Sequence, residues 1–275
     1  MPVAPVRRFL SLVIAGFSLL AASALVLGAQ TNRSSHAIVV FGMQMLFVVV
    51  WVAASRPPAP RVVAGVGMVV ALGTDIAAAM VREASLEPLA YLMAAGFVVG
   101  VIGQLIRPAG RIRVTESLGS SLVIIVGVVA FATLIELTRH AKGTQALSAC
   151  VGAAGVAVAV ARLVDTVAPV PRLAPQVPRG GLGVVLGAMA GTGFAAMAGY
   201  YLAGLDTNKA ALAGLATALI AVMVDLSIGY AEASRHLDGE ASVLWLARHI
   251  QGPLGAIAFA APVAYAASVL LLDLL

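Results

Sequence analysis

Apolar residues in this chain come in long runs rather than at alternating positions. Nine runs, at about 9–29, 37–54, 61–81, 88–106, 117–138, 144–166, 180–203, 209–230 and 250–272, are separated by polar or Pro/Gly-rich breaks. A helix crossing a bilayer needs ~20 apolar residues. None of the runs has the period-two alternation of a barrel strand. The pattern predicts an all-α integral membrane protein with about nine transmembrane helices. The opening MPVAPVRR imitates a signal peptide, but the run from Phe9 to Ala29 exceeds the roughly 7–15 residues of a signal core and reads as the first span. No polar stretch is long enough for a separate soluble domain. Residues 1–275 therefore read as a single polytopic domain, with N-terminal helices over 1–143 and a second group over 144–275.

Composition agrees. The chain is 61% hydrophobic and 11% charged, against about 25% charged in soluble domains. Its one cysteine, Cys150, allows no disulfide within the chain and reads as a small hydrophobe. The formal charge is +5, carried almost entirely by arginine, with Lys142 and Lys209 the only lysines. That bias suits a GC-rich coding sequence, and no nucleic-acid binding is read from it. Placement of the cations says more. With the N-terminus in the cytoplasm, the cytoplasmic segments hold 12 Arg/Lys and the opposite side holds 5 (Arg33, Arg82, Arg139, Lys142 and Lys209). This is a positive-inside pattern. It puts the C-terminus outside and the protein in a bacterial-type cytoplasmic (inner) membrane, multi-pass, with membrane lipids as its first partners.

The richest linkers fall on the cytoplasmic side: residues 107–116, the Pro-rich stretch from Arg162 to Gly183, and residues 232–249. Long irregular loops tend to be functional. In the last of these, SVLWLARH reads either as a short interfacial helix with Trp245 at headgroup depth or as a lead-in to the ninth span. Glycines four apart (Gly183, Gly187, Gly191; Gly96, Gly100) let helices approach closely in lipid. They read as packing surfaces, and dimerisation or docking to a membrane partner through such faces is an expectation.

Ionisable groups inside spans are costly and are functional candidates by default. Asp75 and Glu136 fall toward the outer ends of the third and fifth spans. Asp165 and Asp225 fall toward the cytoplasmic ends of the sixth and eighth, on the side that carries Asp238, Glu240, His236 and His249. Carboxylates among arginines suit a divalent cation with phosphates, because Mg²⁺ takes carboxylate and phosphate oxygens and guanidinium forks match phosphate. The structural alternative pairs Asp165 with Arg162 and leaves Asp225 at a helix end near water. His236 and His249, 13 apart, have no metal-site spacing. P-loop, HExxH and Ser-His-Asp patterns are absent.

With these residues in view, the stretch 145–270 resembles the phosphatidate cytidylyltransferase (CDP-diacylglycerol synthase) family. Asp165-Thr166, Leu173-Ala174-Pro175, Val177-Pro178-Arg179-Gly180 and Gly183 stand in the order of that family's Asp, Leu-Ala-Pro and Ser-Pro-Lys-Lys-Thr-type motifs. Val224-Asp225-Leu226 is similar to its Gly-Asp-Leu, and Ala261-Pro262-Val263-Ala264-Tyr265 to its final span. The chain departs from the family where the signature continues. SIGYAEASRHLDG keeps only Arg235 and Asp238 near the Lys-Asp position, and HIQGPLGAIAF keeps His249 and Gly252 without the Asp-Arg-x-Asp acids. The resemblance implies a protein that acts on or binds a lipid phosphate at the cytoplasmic face, with a nucleotide and Mg²⁺. Asp225, Asp238 and Asp165 are then the catalytic candidates. Asp225 and Asp238 would hold the metal, and Arg172, Arg179 and Arg235 the phosphates. The lost acids and lysines imply the alternative: a non-enzymatic subunit, scaffold or lipid-binding partner with the same fold. A small-solute transporter, resting on Asp75 and Glu136, is a third reading.

Overall fold

The computed structural model describes residues 8–81, 84–106, 113–175, 177–202, 204–237 and 245–272. Among them the chain forms α1 (Arg8–Thr31), α2 (Arg33–Ser55), α3 (Pro60–Met80), α4 (Glu87–Leu105), α5 (Val114–Leu137), α6 (Gly143–Val167), β1 (Arg172–Ala174), β2 (Val177–Gly180), α7 (Gly181–Tyr201), α8 (Thr207–Leu237) and α9 (Trp245–Leu271). Nine of these helices are long and apolar enough to cross a membrane, as the runs predict. Large apolar side chains cover their outer faces, including Phe97, Val98, Val99, Val185, Met189 and Met197. A soluble protein would not expose so continuous an apolar surface.

Local chemistry starts and stops the helices. The Asn32 side chain accepts from the Ser35 amide at 2.8 Å and caps α2. Pro60 opens α3 and Pro88 lies in the first turn of α4, where the missing N–H costs nothing. Pro253 and Pro262 lie inside α9, a position that helices packed among other helices tolerate.

The most enclosed helices are α5 and α6. α6 packs on α1, α7, α8 and α9, and α5 on α2, α3, α4 and α9. The core where α2, α5 and α9 meet is aromatic in part: Phe47 packs on Trp51 at 4.9 Å between ring centroids and edge-on to Phe131 and Phe259.

The α6–α7 contact explains the glycine series. A Cβ at Gly187 would lie 2.6 Å from the Ala157 carbonyl, and one at Gly191 would lie 2.6 Å from the Ala153 carbonyl. Both glycines press α7 onto the backbone of α6. Gly96 likewise receives Val70, whereas Gly100 has ordinary room. We expect Gly187→Ala to lower stability by about 1–2 kcal/mol through overpacking, and Gly193→Ala, with nothing within 4 Å, to raise it by up to about 1 kcal/mol through helix propensity. Unfolding in mixed detergent micelles measures both.

Two features depart from the expected outline. The Pro-rich linker holds a two-stranded antiparallel hairpin, with Arg172 opposite Gly180 and Ala174 opposite Val177. α8 continues past residue 230 to Leu237, and α9 begins at Trp245. Residues 238–244, on which the interfacial-helix reading also depends, lie outside the described residues.

Candidate functional site

The hairpin closes one end of the α6–α9 group, and four charged side chains meet beneath it. Arg162 and Asp165 come from the last turns of α6, Asp225 from α8, and Arg179 from β2. Arg162 grips Asp225 with a two-pronged fork: Nε donates to Oδ2 at 2.8 Å and Nη2 to Oδ1 at 2.6 Å. Arg179 donates through Nη1 to the same Oδ2 at 2.5 Å. The Nε of Arg179 contacts Asp165 Oδ2 at 2.6 Å as an ion pair. Asp165 Oδ1 accepts from the Gly180 amide at 2.9 Å. The order is therefore Arg162–Asp225–Arg179–Asp165, two positive and two negative groups whose formal charges cancel.

The quartet is shut away from solvent. Asp225 is 0% exposed, Asp165 1% and Arg179 2%. Only Arg162 keeps some access, at 14% of its side chain. Burial works against the charge on Arg179, but the Asp225 and Asp165 carboxylates more than offset it and hold the guanidinium above its ordinary value.

Glycines make the enclosure possible. A Cβ at Gly183 on α7 would stand 2.6 Å from Asp165 Oδ1. One at Gly252 on α9 would overlap Asp225 Oδ1 and stand 3.3 Å from Arg162 Nη2. One at Gly180 would meet the Pro169–Val170 backbone at 2.5 Å. Helix and hairpin backbone thus lie directly against the carboxylates.

The other expected site residues are distributed differently. Arg235, near the end of α8, donates through Nη1 to the Ala54 carbonyl at 3.1 Å. It thereby satisfies a terminal carbonyl of α2. Arg172 is half-buried on β1. Asp238 lies outside the described residues, as does Glu240. His249 is buried on α9, three residues before Gly252. Among the described residues no group of three or more His, Cys, Asp or Glu is placed to hold a metal ion.

Sequence reasoning brought Asp165, Asp225 and Arg179 to one end of the bundle, and the structure joins them. It missed Arg162 as the main partner of Asp225, and it missed Gly183 and Gly252 as the surfaces against which the acids rest. The available signal was Arg162 and Asp165 at the end of the sixth run, Arg179 just before the seventh and Asp225 near the end of the eighth, all on one side of the membrane by the positive-inside pattern.

At the opposite end of the bundle, Glu136 is paired with Arg139 at 3.0 Å, and both side chains are buried. Arg139 also donates to the Ala78 carbonyl at 3.0 Å and to the Val81 carbonyl, closing the end of α3. Glu136 thus joins a second neutral pair that ties α5 to α3. No family model and no curated protein matches this chain.

Proposed function

We propose that this is a non-catalytic multi-pass membrane protein, a structural subunit or lipid-binding partner, with the helix layout that resembles CDP-diacylglycerol synthases. Its charged quartet acts as a clamp that fixes the hairpin to α6 and α8. One observation carries this reading: Asp225 is fully buried, and both its oxygens are taken by guanidinium groups. A Mg²⁺ ion needs open carboxylate oxygens in near-octahedral array. At Asp225 two cations already occupy those positions, with the Gly252 backbone against the remaining side. The described residues therefore do not fit Mg²⁺. On the positive-inside reading, the clamp faces the cytoplasm.

The test is Mg²⁺-dependent binding of CTP to the purified protein in detergent. The expected result is no binding above a Mg²⁺-free control. Binding that requires Mg²⁺ and is lost in Asp238→Asn would overturn the proposal. Asp238 serves better than Asp225 as the control, because removing Asp225 also removes a buried partner of two arginines.

A second reading, action on a lipid phosphate with a nucleotide, has one observation in its favour. Arg179 Nη2 is a buried donor without a hydrogen-bond partner, and such a donor suits a phosphate oxygen. In this reading Arg172, Arg179 and Arg235 hold phosphates, and Asp225, Asp238 and Asp165 serve the chemistry. CTP turnover with phosphatidic acid vesicles would establish it.

A further inference from the structure

A second polar site lies apart from the clamp, within the α2–α3–α5 group. Asp75 on α3 is 6% exposed, and Gln44 on α2 is 0% exposed. The Gln44 amide Nε2 donates to Asp75 Oδ1 at 2.8 Å and to the Val128 carbonyl of α5 at 2.9 Å. Those two bonds use both hydrogens of the amide. Two oxygens remain: Asp75 Oδ2 and Gln44 Oε1, each buried and each without a hydrogen-bond partner. The neighbouring Thr74 hydroxyl donates back along its own helix, to the carbonyls of Val70 and Ala71, and so offers Asp75 no proton.

Two orphan acceptors on adjoining side chains have a common remedy. An unmade hydrogen bond at a buried polar atom costs about 1–3 kcal/mol, and an uncompensated carboxylate costs more. A proton on Asp75 Oδ2 removes both costs. A carboxylic acid and a primary amide are complementary edge to edge: the amide N–H donates to one carboxyl oxygen, and the carboxyl O–H donates to the amide oxygen. The first of these bonds is present. The second would form with a proton on Oδ2 turned to Oε1, the two acceptors left unsatisfied on the same pair of side chains.

Among the described residues, the neighbouring charges are already engaged elsewhere. Arg139, just past α5, reaches the Ala78 carbonyl of α3, three residues beyond Asp75, but its charge is balanced by Glu136 of α5. On α2, His36 lies two turns from Gln44, with Nε2 turned to the Leu134 carbonyl at 3.4 Å.

We propose that Asp75 and Gln44 form an intramembrane proton-binding site, in which the Asp75 carboxyl carries a proton on Oδ2 and donates it to Gln44 Oε1. The ligand is a proton taken from water or a buffer acid, leaving hydroxide or the buffer's conjugate base behind. Carboxyls within helix bundles serve as relay points in proton-coupled membrane proteins, and this site gives the α2–α3–α5 group that capacity independently of the clamp.

Infrared spectroscopy of the purified protein in lipid tests it. The difference spectrum of wild type minus Asp75→Asn at neutral pH is expected to contain the carbonyl stretch of one neutral carboxylic acid, and this band is expected to shift in D₂O. In Gln44→Leu the band should persist but move to higher frequency, because the hydrogen bond to the amide is gone. That variant keeps Asp75, so the proposal stays testable if Asp75→Asn fails to fold. A difference spectrum showing only carboxylate bands would overturn the proposal. So would a band indifferent to Gln44→Leu, or one that vanishes when Na⁺ replaces K⁺ at constant pH, which would mark a metal-cation site.

Discussion

Asp225→Ala should lower the stability of the protein by roughly 3–5 kcal/mol, the cost of breaking a buried ion pair by removing one partner. The wild-type carboxylate answers two guanidiniums at 2.5–2.8 Å. Without it, Arg162 can turn toward solvent through its exposed fraction, but Arg179, at 3% side-chain exposure, cannot. Asp165 is then the one carboxylate left in the quartet, with Arg179 held against it. SDS-titrated unfolding in mixed micelles measures the loss. The exposed pair Arg113–Glu116 supplies the control: both side chains are about half exposed, and Glu116→Ala should cost no more than about 1 kcal/mol. If Asp225→Ala unfolds at the wild-type midpoint, the clamp reading fails.

Gly252→Val should cost roughly 3 kcal/mol, at the upper end of ordinary overpacking penalties. The added Cβ alone would overlap Asp225 Oδ1. That oxygen cannot retreat, because Arg162 holds it at 2.6 Å. Gly229→Val on α8, where nothing lies within 4 Å, should leave stability near wild type. The two main predictions also couple. In the Asp225→Ala background the obstacle to the larger side chain is gone, so the double variant should lose less than the sum of the single losses, by an amount in the ~0.5–3 kcal/mol range of contacting pairs. Strict additivity would separate Gly252 from the clamp.

The helices were legible because membrane insertion depends on apolar content summed along a run. The first run, expected over 9–29, is the helix Arg8–Thr31, and the sixth, expected over 144–166, is Gly143–Val167. Hydropathy lost the end of α8 because its last turns, with Glu232 and Arg235, leave the apolar run while the helix continues. The hairpin was illegible because its strands are short, β2 contains Pro178, and Pro171 and Pro175 flank β1. Proline is expelled from central strands but tolerated at edges, and in a two-stranded ladder each strand is an edge. The glycines at intervals of four were readable as packing surfaces. Which of them touch backbone, as Gly187 and Gly191 do, and which have room, as Gly100 does, was not.

That the chain is a bundle of membrane-type helices follows from the runs alone, since length and apolarity are properties of each run. The sequence also marked Asp75, Glu136, Asp165 and Asp225 as groups that must find partners, since an ionisable side chain within such a run is costly wherever it ends up. Only the tertiary structure decided who those partners are. Arg162 lies three residues from Asp165 on one helix and looked like its natural mate, yet it bonds Asp225, 63 residues away, while Asp165 takes Arg179 and the Gly180 amide. An ion pair is selected by distances of a few ångströms and by the direction of a planar fork. Those are set where α6, α7, α8 and α9 converge, at contacts that Gly183 and Gly252 keep close, and no local pattern along the chain contains that convergence.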